Sequence, residues 1–108
     1  MSDDAILIHA RINMLTAVEG GRSTPLTGGV PYRPNHHFLA AGDDRMCMGA
    51  IDLVEGESLA PGGTIERDIL MWIWPELKGS IQPGQEWAIR EGAQLVGHGT
   101  VIAVLESG

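Results

Sequence analysis

Trp87-Ala88-Ile89-Arg90-Glu91-Gly92, followed after Ala93-Gln94-Leu95 by Val96-Gly97-His98-Gly99-Thr100-Val101, decides the fold of this chain. The stretch reads as two strands joined by a tight turn. The second run begins a further apolar stretch that continues through Ile102-Ala103-Val104-Leu105. Gly92 lies where a tight hairpin needs a residue tolerant of positive φ. The reading is a hairpin over about Glu86 to Arg90 and Ala93 to Leu105, with Arg90 and Glu91 presented at its end. A distant segment, Glu19-Gly20-Gly21-Arg22-Ser23-Thr24-Pro25, has the same character of charge held by glycine. The two describe a small β-barrel that binds and shows no evident reactive chemistry.

The rest of the chain agrees. It has 108 residues, of which 44% are hydrophobic and 19% charged, enough for one folded domain and too apolar for disorder. Fifteen glycines and six prolines fall between apolar runs, as turns do in an all-β protein. A first strand is expected from Ala5 to Leu15, with Ile6, Ile8, Ala10, Ile12 and Met14 on one face. A loop covers Val18 to Pro34. Further strands are expected over Asn35 to Ala41, Arg45 to Leu53 and Thr64 to Trp74, with a turn at Gly42-Asp43-Asp44 and a polar connector from Lys78 to Gln85. No helix of useful length is written. Leu70-Met71-Trp72-Ile73-Trp74 and Val101-Ile102-Ala103-Val104-Leu105 are apolar on both parities, so both faces of these strands need cover.

Composition narrows the function. Seven Lys and Arg stand against fourteen Asp and Glu, a net charge of -7, opposite to the sign of a nucleic-acid binder that works alone. The start, Met1-Ser2-Asp3-Asp4, is acidic where a signal peptide is basic, and no apolar run reaches membrane-spanning length, so a cytoplasmic protein without a membrane partner is expected. Cys47, the one cysteine, sits between Met46 and Met48 and reads as a buried structural thiol. His36 and His37 are adjacent on a strand and leave on opposite faces. Neither joins a metal-ligand spacing, so both read as ordinary, partly exposed histidines, and neither metal nor cofactor is expected. Asp3/Asp4, Asp43/Asp44 and Glu55/Glu57 read as solvated charges. There is no phosphate-binding loop and no nucleophile elbow. Arg22 either grips a phosphate or carboxylate with its planar fork or pairs with a nearby acid such as Glu19. Trp72 and Trp74 share a face and are expected in the core or under a loop; the other reading is a protein interface.

Several separated motifs stand in one order and spacing: Glu19-Gly20-Gly21-Arg22, Thr24-Pro25, Tyr32-Arg33-Pro34, Ala88-Ile89-Arg90-Glu91-Gly92, and Val96-Gly97 with Gly99. Across nearly the whole chain, Ala5 to Leu105, this resembles the C-terminal domain of elongation factor Tu. The resemblance implies an all-β fold, a closed six-stranded antiparallel Greek-key barrel. It also implies contact with the T-stem of tRNA and with a nucleotide-exchange factor. Ser23 stands where the family usually has His. Ala93-Gln94 replaces Gly-Arg, His98 replaces a small residue, and His36-His37 replace aromatics, so several tRNA-side residues differ while the scaffold is kept. With no GTPase domain in the chain, neither GTP binding nor hydrolysis is expected.

The expected protein is therefore a free-standing, non-enzymatic binding domain over residues 1–108. Its expected binding residues are Arg22, Ser23, Thr24, Tyr32, Arg33, Arg90, Glu91, Gly92, Gly97 and His98. A protein of the translation machinery is the expected partner, with a weaker tRNA contact. The alternative is a self-associating interaction protein, a homodimer that covers the doubly apolar strands and has no role in translation. An enzyme built on His98 with Arg90 or Glu91 would need a pocket and a nucleophile that the sequence does not signal.

Overall fold

In β1 (Ala5–Met14), the even residues from Ile6 to Met14 are buried, while His9, Arg11 and Asn13 face outward. The computed structural model describes residues 5–29, 31–42 and 44–107, so the acidic start and Asp43 of the expected turn lie outside the described residues. The outer face of β1 meets β6 (Thr64–Trp72) in register, His9 opposite Asp68, Arg11 opposite Glu66 and Asn13 opposite Thr64. All three pairs bond across the strands: His9 Nδ1 to Asp68 Oδ1 at 2.7 Å, Arg11 Nη2 to Glu66 at 3.4 Å, and Thr64 Oγ1 to Asn13 at 2.9 Å. Polar pairs directly opposite one another fix register on a wet face.

The other barrel strands are β3 (Asn35–His37), β4 (Met46–Gly49), β7 (Glu86–Glu91) and β8 (Gln94–Ser107). They close in the order β1-β6-β4-β3-β7-β8, with every pairing antiparallel. This is the expected closed six-stranded cylinder. Two short strands, β2 (Leu26–Thr27) and β5 (Ser58–Leu59), pair with each other outside it.

Two expected strands are shorter than their apolar runs. The Asn35 to Ala41 run ends at His37 and turns into a 3-10 segment, Leu39–Ala41, closed by Gly42 at φ +89°. The Arg45 to Leu53 run ends at Gly49; beyond it Ile51 bridges to Tyr32 instead. The connector is not purely loop either, since Pro75–Ser80 forms a 3-10 segment that buries Leu77.

Trp87 organises the core. It is buried, stacks on Phe38 at 5.2 Å between ring centroids, and donates from Nε1 to His36 Nδ1 at 2.9 Å. His36 passes the bond on from Nε2 to the Gly49 carbonyl at 2.9 Å. His36 is thus a fully buried linker between β7, β3 and β4, where sequence reasoning expected partial exposure. The reason is the Trp87 N–H, a buried donor that needs an acceptor. Gly99 lies opposite Trp87, and a Cβ there would fall 2.2 Å from the indole ring. Cys47 is buried, as expected.

Trp72 and Trp74 correct a second expectation. Ile69, Met71 and Ile73 fill the interior, which turns Leu70, Trp72 and Trp74 outward. Trp72 is 50% exposed beside Met48, its cross-strand neighbour, which is 65% exposed. Trp74 is partly covered by the Arg45 guanidinium, 4.5 Å above its ring.

Candidate binding site at the β7–β8 turn

Gly92 takes φ +60° between Glu91, which ends β7, and Gln94, which begins β8, so it is the hairpin glycine. A register shift at Ile89/Arg90, where Ile89 faces Gly97 but Arg90 faces Leu95, leaves Val96 as the extra residue of a bulge on β8, just after the turn. The end of β7 meets the 20s loop through Glu91.

That loop is fixed from within and from below. Glu19 folds back to accept the Thr16 N–H at 2.8 Å and the Thr16 hydroxyl at 2.9 Å, which holds its carboxyl below the usual range. Gly21 presses on β1's end, since a Cβ there would stand 2.7 Å from the Leu15 carbonyl oxygen. Gln94 ties loop to hairpin, donating from Nε2 to the carbonyls of Gly20 at 3.1 Å and Gly21 at 3.3 Å.

Arg22 crosses this seam. Its Nη1 donates to Glu91 Oε2, and its Nε and Nη2 hold Thr24 through the carbonyl at 3.2 Å and the hydroxyl at 3.3 Å. Tyr32 donates its hydroxyl to the same Oε2 at 2.5 Å, and its ring lies 5.7 Å from the Arg22 guanidinium carbon. Burial alone would raise the Glu91 carboxyl; the bonds from Tyr32 and Arg22 outweigh it and hold the group below its ordinary value. The Tyr32 phenol is pushed up, first by burial and then by the carboxylate it faces. The acid that pairs with Arg22 is therefore Glu91, sixty-nine residues away, and not Glu19. Among the described residues no further bond reaches Glu91 Oε1, which leaves an acceptor at the rim.

Of the expected site residues, Arg22, Thr24, Tyr32, Glu91 and Gly92 come together here. Ser23 is exposed on the same loop. Arg90 turns to the opposite face, as the neighbour of Glu91 on a strand must. There its Nε donates to His37 Nδ1 at 3.1 Å and its Nη1 to the Ala93 carbonyl at 3.2 Å. His98 is exposed on that face, opposite Ala88. Arg33 lines a different cleft, about 420 Å³, with Met48, Leu70 and Trp72. Gly97 is buried in the barrel wall, where a Cβ would meet the Asn13 carbonyl oxygen at 2.8 Å, so packing against β1 accounts for it. Sequence reasoning missed Gln94 as the tie between the segments, and Asn35, whose amide reaches the Gly92 carbonyl at 3.5 Å. The departure from the family pattern at Ala93-Gln94 is the available signal. Among the described residues no cluster of three His, Cys, Asp or Glu could hold a metal ion, and no helix is long and apolar enough to cross a membrane.

No protein-family model matches the chain. Elongation factor Tu 2 of Streptomyces avermitilis is 36% identical to it over 95 residues, which are 88% of this chain and 22% of that relative. The chain thus spans about a fifth of the length of the curated relative it matches. With the closed six-stranded antiparallel barrel, this similarity fits an elongation factor Tu C-terminal-like domain.

Proposed function

We propose that this chain is a non-enzymatic recognition domain of translation, cytoplasmic, acting as one unit over residues 1–108 on a protein partner, with tRNA contact weak. The observation that carries this is the convergence of two glycine-held segments on Glu91. Arg22 and Tyr32 spend their donors on one carboxylate oxygen, which makes a rigid polar surface with exposed Ser23 and Glu91 Oε1 at its rim. Such a surface suits hydrogen bonding to a preformed partner, since little side-chain freedom is left to lose. It does not suit phosphate binding by charge, because the Arg22 cation is already neutralised and the chain carries a net charge of -7.

Titration with tRNA at low and moderate salt tests the class of partner. The expected result is weak binding that disappears at moderate salt. Tight binding with a steep salt slope would show several phosphate contacts and overturn the protein-partner reading. A second reading is self-association without a role in translation. The observation that favours it is the outward row of Met48, Trp72 and Leu70, which the described residues leave uncovered.

A further inference from the structure

On the opposite side of the hairpin from Glu91, His37, Ala88 and His98 form one row across β3, β7 and β8. Arg90 stands two residues beyond Ala88 on the same face. These side chains, with Leu39, line a cleft of about 180 Å³. Two features of this cleft are unexplained by the fold.

The first is the proton on His37. Arg90 is only a donor, so its bond to Nδ1 requires a lone pair there, and the neutral ring must carry its hydrogen on Nε2. Nε2 is covered from solvent and meets no acceptor. A buried donor without a partner is costly and rare in a settled structure. The second is the charge on Arg90. Arg11, Arg22, Arg45 and Arg67 each pair with a glutamate. Among the described residues Arg90 bonds to a neutral ring and a carbonyl, which orient the guanidinium and leave Nη2 without a partner there. In a chain with twice as many acids as bases, an oriented cation without a carboxylate marks a place kept for an anion. Two acids also stand near: Glu86 lines the cleft four residues back along β7, and the Glu19 carboxylate interacts electrostatically with His98.

We propose that this cleft binds the phosphate group of a small phosphate ester. Arg90 Nη2 supplies charge and one donor, His37 Nε2–H a second once the cleft opens around it, and the exposed His98 ring a third from β8. Donors carried on β3, β7 and β8 can each take a different oxygen of one tetrahedral oxyanion. Leu39 and Ala88 give the ester's carbon body an apolar floor.

The site is separate from the Arg22–Glu91 seam, so its test stands apart from that of the proposed function. Isotope-labelled protein is titrated with inorganic phosphate, phenyl phosphate and acetate, following the Arg90 Nε–H and the His37 and His98 ring signals. Saturable shifts at all three residues are expected with both phosphates, with phenyl phosphate tighter and acetate at least tenfold weaker. Arg90→Gln should weaken binding at least tenfold, and His98→Ala severalfold. Because Arg90 also ties down the hairpin, His98→Ala, on an exposed side chain, keeps the test open if the first variant unfolds. Shifts that do not saturate, or that persist unchanged in His98→Ala, would overturn the proposal. Saturation by an RNA hairpin but by neither small phosphate would overturn it in favour of backbone phosphates.

Discussion

Two residues, Gly99 and His36, set limits on this barrel. Gly99 exists so that Trp87 can lie flat against β8, since a methyl group would sit inside the indole ring. Gly99→Ala should cost about 3 kcal/mol or more, as overpacking of a rigid core does, read as a fall in the urea midpoint. His36 sets a second limit. Burial pushes its imidazole down to about 4, because a proton on Nδ1 would face the Trp87 N–H and a charge would be stranded in the core. Unfolded, the group returns to about 6.5. Between these values the unfolded chain binds a proton that the folded one refuses, so stability falls as pH falls through that window, by on the order of 3 kcal/mol in all. His9 acts in the opposite sense: its bond to Asp68 raises its pKa, so its contribution is present below about 6.5 and fades as pH rises through the folded value. A carbon-detected titration of the His36 ring separates them. A midpoint near 4 is expected, and one near 6.5 would contradict the linker role.

The informative element is the β7–β8 hairpin with the 20s loop it captures. The hairpin itself was legible, because Gly92 supplies the positive φ that a tight turn between two strands needs. The capture was not legible. Arg22 and Glu91 are far apart in the chain, and nothing in Glu19-Gly20-Gly21-Arg22 reveals that Glu19 is consumed by Thr16, which frees Arg22 for Glu91. Nor does the sequence show the bulge that leaves Val96 of β8 unpaired beside the turn. A double-mutant cycle of Arg22→Gln and Glu91→Gln should give a coupling of about 1–2 kcal/mol, above the value for an exposed pair because both groups are partly buried. The same cycle on Arg11 and Glu66, both about half exposed, should give under about 0.5 kcal/mol. Equal values from the two cycles would contradict the picture of a rigid seam.

At the scale of the whole molecule, alternation in β1 and the two glycine-held segments were enough to forecast a small barrel. They were not enough to place Trp72 and Trp74. A strand apolar on both parities says that cover is needed and not whether this chain supplies it. The barrel fills with Ile69, Met71 and Ile73 and leaves the tryptophan side bare. If copies of the chain cover one another there, light scattering will show a concentration-dependent dimer that Trp72→Ser abolishes without loss of fold; a monomer at high concentration would remove that reading. The central claim is that the Arg22–Tyr32–Glu91 surface recognises a component of translation, and paired affinity capture from lysate tests it most directly. The wild-type domain should enrich ribosomal proteins or translation factors, and Arg22→Gln, confirmed as folded, should lose most of that enrichment. Capture of no translation component, or equal capture by the variant, would contradict it.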